Sequence, residues 1–324
     1  MCQLPEHATI TPKDEENVMA DETQKSGIWT QLSKTFSGAI EAIQDSIVTV
    51  HIGGRSTSSG VVWRPGIVVT THHGLRHREG IEVNRAGDLI NANLIDGDPA
   101  TDLAVLRISS NDLRAVESTS KSTYAGEVVL SVGRSRLGDI SASCGIIART
   151  GDAWRTWRGG QIDRLIRPDI QLYVGQSGSA LVNEQWQVLG INSPALARQA
   201  VITIPTQTID RIVDAILERG HVPRPYLGIA MQAVPVPEPA RPLFPAEAEQ
   251  ALLVMHVEPK APAALAGVMV GDLIVSANGD PVDNVRDFLH WLADLRLGDT
   301  ISLVAIRGGV KVDLTLNVAD RNPT

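Results

Sequence analysis

The chain is poor in cysteine, with only Cys2 and Cys144 in 324 residues. Two thiols so far apart in sequence, one of them next to the start, do not make a disulfide framework. Cys144 is expected to be a small buried apolar residue. Aromatic side chains are scarce at 4% of the chain. No apolar run reaches the ~20 residues that a membrane-crossing helix needs. The first thirty residues are polar and acidic, without a basic-then-apolar signal, and Cys2 is preceded by no apolar stretch that would mark a lipid-anchor site. As written the chain is expected to be cytoplasmic, and periplasmic or extracytoplasmic if it is a processed form.

Other absences concern chemistry. There is no G-x-x-x-x-G-K loop to cradle phosphates, so ATP-driven work is not expected. His51, His72, His73 and His77 fall in neither H-E-x-x-H spacing nor the company of a cysteine pair. Asp96, Asp98 and Asp102 lack the glycine and distal glutamate of an EF-hand loop. No metal and no cofactor are expected. The net charge of −8 offers no general attraction to nucleic acid. The one basic stretch, with Arg155, Arg158, Arg164 and Arg167 beside Trp154 and Trp157, is read as a solvated loop between strands rather than as a stacking surface.

What is present is the balance of a globular protein, 43% hydrophobic and 20% charged, in a chain long enough for more than one domain. Residues 1–28 are rich in Asp, Glu, Lys, Thr and Gln and are expected to be disordered or loosely docked. Trp29, Leu32, Phe36, Ile40 and Ile43 then recur at helical spacing. From Ile47 to Ile204 come short β-rich runs broken by Gly, Asn, Asp and Ser, the pattern of an antiparallel sandwich or pair of barrels. Ile209, Ile212, Val213, Ile216 and Leu217 mark an amphipathic helix that Gly220 should end, and Pro223 and Pro225 stiffen the segment beyond it. A second, small mixed unit begins at Tyr226, with a helix near Val285–Leu295 and a hairpin at Asn278-Gly279. The expected boundaries are a domain over 29–219, a linker over 220–225, a domain over 226–319 and a tail over 320–324.

Three segments carry the groups of a serine nucleophile with its base: VVTTHHGL around His73, DGDPATDLAVL around Asp102 and VGQSGSALV around Ser177. A serine hydroxyl is a poor nucleophile at neutral pH and needs an imidazole to take its proton and a carboxylate to orient that imidazole. Singly, each has an ordinary alternative: a surface histidine, a turn-capping aspartate, a serine in a tight turn. Gly175, ahead of Ser177, can adopt angles that turn its N–H inward beside that of Ser177, making an oxyanion hole. An α/β-hydrolase would need glycine where Ser179 stands and would place its aspartate and histidine downstream of the serine.

These segments resemble the HtrA/Deg branch of trypsin-like serine proteases. Thr101-Asp102-Leu103-Ala104-Val105-Leu106 matches that family's run at every position, and Thr70-Thr71-His72-His73 parallels its Thr-Asn-x-His. The resemblance makes His73 the base and His72 its neighbour. Gly175-Gln176-Ser177-Gly178-Ser179-Ala180-Leu181-Val182 departs from the family's Gly-Asn-Ser-Gly-Gly-Pro-Leu-Val. Those departures keep a second reading open, a weak or inactive member acting as a peptide-binding, chaperone-like module. Ser143–Ile147 and Ala200–Pro205 resemble strands flanking the substrate cleft.

Tyr226-Leu227-Gly228-Ile229 resembles the carboxylate-binding loop of HtrA-type PDZ domains, with Leu227, Ile229, Phe288, Leu289 and Leu292 as candidates for an apolar floor. The alternative for the helix is plain core packing. The resemblance implies a double antiparallel β-barrel followed by a PDZ domain and cleavage of unfolded or misfolded polypeptides. It also implies binding of C-terminal peptides and a homotrimer.

Overall fold

The computed structural model describes residues 12–321 apart from 54, 76–78, 111, 136 and 245–248, and not the side chains of 12–26, 56, 57, 239 and 240. Cys2, His77, the first eleven residues and the last three of the expected tail lie outside the described residues. The chain divides into two compact units, Met1–Glu218 and Arg219–Thr324.

The first unit opens with helix α1 (Pro12–Ile43). Ala39 and Ile43 on its last turns are buried, whereas Ile28, Trp29 and Leu32 are exposed. Strands β1 (Ile47–Ile52), β2 (Arg55–Arg64), β3 (Ile67–Thr71), β4 (Ile81–Arg85), β5 (Asp88–Asp98) and β6 (Leu103–Ile108) come next, then β7 (Val128–Arg134) and β8 (Ile140–Gly151). A short hairpin of β9 (Trp154–Arg155) and β10 (Gln161–Ile162) precedes β11 (Leu165–Asp169), β12 (Ala180–Val182), β13 (Val188–Ser193), β14 (Ile202–Pro205) and helix α2 (Thr206–Arg219). β1 to β6 close one antiparallel barrel in the order β1-β2-β3-β6-β5-β4. The other six long strands close a second in the order β11-β14-β13-β12-β7-β8. Closure removes sheet edges, and the β-branched runs of the sequence fill the interiors. Val48, Val50, Val62, Val68, Ala104 and Leu106 pack in the first barrel and Val129, Ile147, Ile166, Leu181 and Leu189 in the second.

Cys144 corrects the sequence reading, because its thiol is exposed. Ile147 is the only buried residue of β8, so this strand sends almost nothing inward. The run Ser-Ala-Ser-Cys-Gly-Ile-Ile carries no period-two signal from which the inward face could be read.

The second unit holds β15 (Pro225–Tyr226), β16 (Ile229–Pro235), β17 (Gln250–Val257), a one-turn helix α3 (Pro262–Leu265), β18 (Leu273–Ala277), β19 (Asp280–Pro281), α4 (Val285–Asp294), β20 (Thr300–Arg307), β21 (Val310–Asn317) and β22 (Ala319–Asp320). Its main sheet runs β16-β17-β18-β20-β21, which leaves β16 at an edge, and β15 pairs with β22. Leu227, Phe288 and Leu292 lie in the core with Leu252, Ile274 and Leu303.

Candidate active site

Both barrels supply the site. β3 runs into a short 3-10 turn, His72–Gly74, that carries His73, and the turn between β5 and β6 carries Asp102. The loop from β11 to β12 carries Ser177. The β5–β6 turn is organised by Asp98, whose carboxylate accepts from Ala100 N at 3.1 Å, Thr101 N at 3.2 Å and Thr101 Oγ1 at 2.8 Å. That capping carries Asp102 into the left-handed region, at φ 60°, which a non-glycine residue seldom occupies and aspartate tolerates better than most.

The three side chains stand in a hydrogen-bonded line. His73 Nδ1 lies 2.8 Å from Asp102 Oδ2 and 3.0 Å from Oδ1, and Ser177 Oγ lies 3.1 Å from His73 Nε2. An ionised carboxylate only accepts, so Nδ1 carries the proton; Nε2 of the neutral ring is then the acceptor for the serine hydroxyl. Asp102 is buried, and it also accepts from His73 N at 2.9 Å and from Ser193 Oγ at 2.5 Å. Ser193 carries no signal in the sequence; it ends a β-run and is met only in three dimensions. Thr71 Oγ1 is a further contact of Ser177 Oγ, at 3.0 Å.

The loop ahead of the serine is held by its own side chain. Gln176 is fully buried; its Oε1 accepts from Tyr173 N at 2.8 Å and its Nε2 donates to Ser141 Oγ at 2.9 Å. Gly175 has φ 93°, the conformation that glycine alone adopts without strain. Ser179 is buried with Oγ 2.9 Å from Ser131 Oγ and 3.1 Å from Asn192 Nδ2. The two polar departures from the family pattern at Gln176 and Ser179 are therefore satisfied by hydrogen bonds within the fold, as buried polar groups must be.

In the second unit Tyr226–Ile229 joins β15 to the edge strand β16. Leu227 O accepts from Ala263 N at 2.9 Å and Gly228 O from Glu258 N at 2.8 Å. Of the floor candidates, Leu227, Phe288 and Leu292 are core residues, while Leu289 is exposed and Ile229 half-buried on the edge strand. The β9–β10 hairpin carries Arg155 and Arg158 of the basic stretch, while Arg164 follows β10 and Arg167 lies in β11; Trp157 is exposed with Arg158 stacked 4.4 Å above its ring, and Arg158 Nη1 donates to Pro99 O at 3.2 Å. Among the described residues no helix is long and apolar enough to cross a membrane.

The chain is similar to known proteins in both of its units. Residues 58–191 match a trypsin-like peptidase domain and residues 225–318 a PDZ domain. The chain is 32% identical over 287 residues to the serine protease Do-like HtrA of Lactobacillus helveticus, covering 81% of this chain and 68% of that protein. It is 30% identical over 278 residues to the serine endoprotease DegS of Salmonella typhimurium, covering 82% of this chain and 77% of the relative. The solved structure of the HtrA-type protease AlgW with decapeptide superposes with a TM-score of 0.69 at 26% identity, over 89% of this chain and 99% of that one. The chain belongs to the HtrA/Deg family and is a serine-type endopeptidase built as a trypsin-like double barrel followed by a PDZ domain.

Proposed function

We propose that His73, Asp102 and Ser177 are the catalytic triad of this endopeptidase, with the backbone N–H groups of Gly175 and Ser177 as its oxyanion hole. The observation that carries the reading is the continuous line from Asp102 Oδ2 through His73 to Ser177 Oγ, with links of 2.8 and 3.1 Å. In acylation His73 Nε2 takes the proton of Ser177 as Oγ attacks the scissile carbonyl, and the carbonyl oxygen gains charge toward the Gly175 and Ser177 amides. The protonated imidazole, held by Asp102, then gives that proton to the leaving amine; a water repeats the sequence to release the acyl group.

The substrates are unfolded or misfolded polypeptides, and the PDZ unit takes C-terminal peptides through Tyr226–Ile229 and Leu289. The open edge of β16 supports addition of a peptide as an extra strand. The solved HtrA-type relative with its decapeptide is consistent with this. The domains run over 29–219 and 226–319 about a linker at 220–225, the working assembly is a homotrimer, and a processed form of the chain acts in the periplasm or another extracytoplasmic compartment, which the periplasmic naming of the DegP-like relatives supports. The decisive test is covalent labelling with a fluorophosphonate. Wild-type chain is expected to label stoichiometrically and Ser177→Ala not at all. A wild-type chain that folds but takes no label would favour the inactive, chaperone-like reading.

A further inference from the structure

Ser59, in the middle of β2, is fully buried between the two barrels, and every polar atom it owns is committed to the other barrel or to the strand beside it. Its Oγ accepts from Arg134 N of β7 at 2.9 Å and lies 2.8 Å from Gly175 O, to which it donates. Its N–H donates to Ser177 O at 2.7 Å, and its carbonyl accepts from Thr70 Oγ1 at 2.7 Å, one residue before the threonine that touches Ser177 Oγ. The neighbouring glycines are shaped around it. A Cβ on Gly178 would stand 2.2 Å from Ser59 O, and one on Gly133 would stand 2.7 Å from Ser59 Oγ and 2.9 Å from Ser179 Cβ. A side chain at either place would push the serine out of reach of the loop.

From this geometry we propose that Ser59 is a positioning residue for the oxyanion hole: its hydroxyl fixes the Gly175 carbonyl, and so the Gly175–Gln176 peptide plane and the ψ angle of Gly175, relative to the barrel that carries His73 and Asp102. The proposal rests on the reading of Ser177 as nucleophile and Gly175 as oxyanion donor. Gln176 holds the loop from the second barrel through Ser141 and Tyr173; Ser59 is the matching hold from the first. Gly175 is a glycine at φ 93°, so without a bond on its carbonyl its ψ is free to change, and the accompanying shift of its Cα carries its N–H out of line. An oxyanion donor is worth a hundredfold or more in rate when it is in place, so partial misalignment lowers turnover and leaves ground-state binding alone.

The test compares wild type, Ser59→Ala, Ser59→Cys and Ser177→Ala as full-length chains. Active sites are counted by end-point fluorophosphonate labelling, and casein cleavage is measured across pH. In Ser59→Ala, kcat per labelled site is expected to fall about tenfold with KM unchanged, the initial labelling rate to fall in step because the phosphonyl oxygen uses the same hole, and the acid limb of the kcat/KM profile to stay where it is. Ser59→Cys, which restores size and a weak donor, should recover part of the loss. A mere loss of folding stability would lower the number of labelled sites and leave kcat per site intact, and that result overturns the proposal. So does a shift of the acid limb, which would place the fault at His73. Dead Ser177→Ala with wild-type kcat per site in Ser59→Ala sinks the proposal alone, whereas turnover by Ser177→Ala sinks the triad reading with it.

Discussion

Asp102 receives three donors, His73 N, His73 Nδ1 and Ser193 Oγ, and the work of the carboxylate is to keep Nδ1 protonated so that Nε2 faces Ser177 as a base. Asp102→Asn presents an amide that can donate to Nδ1 and so favours the other tautomer. On the proposed triad, kcat is expected to drop on the order of 10⁴-fold with little change in KM, read by steady-state casein cleavage. Removing the Ser193 hydroxyl takes away one charge-assisted bond and leaves the tautomer alone. Ser193→Ala is therefore expected to lose only about tenfold, the size of a single hydrogen bond of roughly 1.4 kcal/mol. The histidine doublet separates in the same assay. His72 meets Asp102 through backbone, its N–H donating to the Asp102 carbonyl at 3.0 Å, so His72→Ala is expected to stay active where His73→Ala is not. A dead His72→Ala beside an active His73→Ala would move the base by one residue.

The turn between α3 and β18 ends in Asp272, which is buried and ties the PDZ unit together at the scale of its elements. Asp272 accepts from Arg307 Nε on β20 at 2.8 Å, from Arg307 Nη2 at 2.8 Å and from Met269 N at 2.9 Å, and the same Nη2 reaches Gly267 O at 2.7 Å. Burial by itself pushes the Asp272 carboxyl up; the Arg307 side chain and the Met269 N–H outweigh it and hold the group below the ordinary aspartate range. The bonded arginine is held above its own ordinary value by the same pairing. Because the folded state binds this proton less readily than the unfolded state, the stabilisation is complete above the unfolded value of about 3.9 and is lost as the pH falls through the lower folded value. Calorimetry of the full chain should show the PDZ transition losing stability below about pH 4. Asp272→Asn should unfold earlier at neutral pH and show a shallower acid dependence; an unchanged acid limb would exclude Asp272 as its source. Elements like this one were partly legible. Asn278-Gly279 marked a hairpin, and it is a two-residue one with φ 49° and 90°; α2 stops one residue before Gly220. Of the proposed triad, Asp102 was legible because Thr101–Leu106 couples a capped turn to a buried strand in one short run. Arg307, Ser193 and Ser59 were not, since each acts on a residue tens of positions away and sits in an otherwise ordinary β-run. The face of β8 was illegible for want of any alternation.

At the scale of the whole molecule the two compact units divide the labour, and each half makes its own prediction. His73, Asp102, Ser177 and both closed barrels lie before Glu218, so truncation after Gly220 is expected to leave a chain that melts cooperatively and still takes a fluorophosphonate label. Loss of labelling there would mean that the second unit is needed to hold the first in working order. The second unit offers a different surface. Among the described residues β16 has β17 on one side and no strand on the other, so its main-chain groups can receive a peptide strand, and Tyr226–Ile229 at its start is where the incoming terminus would sit. A free carboxylate there takes charge-assisted bonds from backbone N–H groups that an amidated terminus cannot match. Leu227 is core, so on the proposed peptide site its part would be through backbone, while the half-buried Ile229 and the exposed Leu289 would offer apolar surface to the last side chain. In the Ser177→Ala chain, which cannot consume the ligand, calorimetric titration with a peptide ending in an apolar free acid is expected to give a micromolar Kd, roughly −8 kcal/mol. The matching amide should bind at least tenfold more weakly, and Ile229→Asp should weaken the acid without shifting the melt. Equal affinity for acid and amide would make Tyr226–Ile229 an ordinary core strand and move peptide binding elsewhere, because an edge strand alone gains nothing from the charge of the terminus.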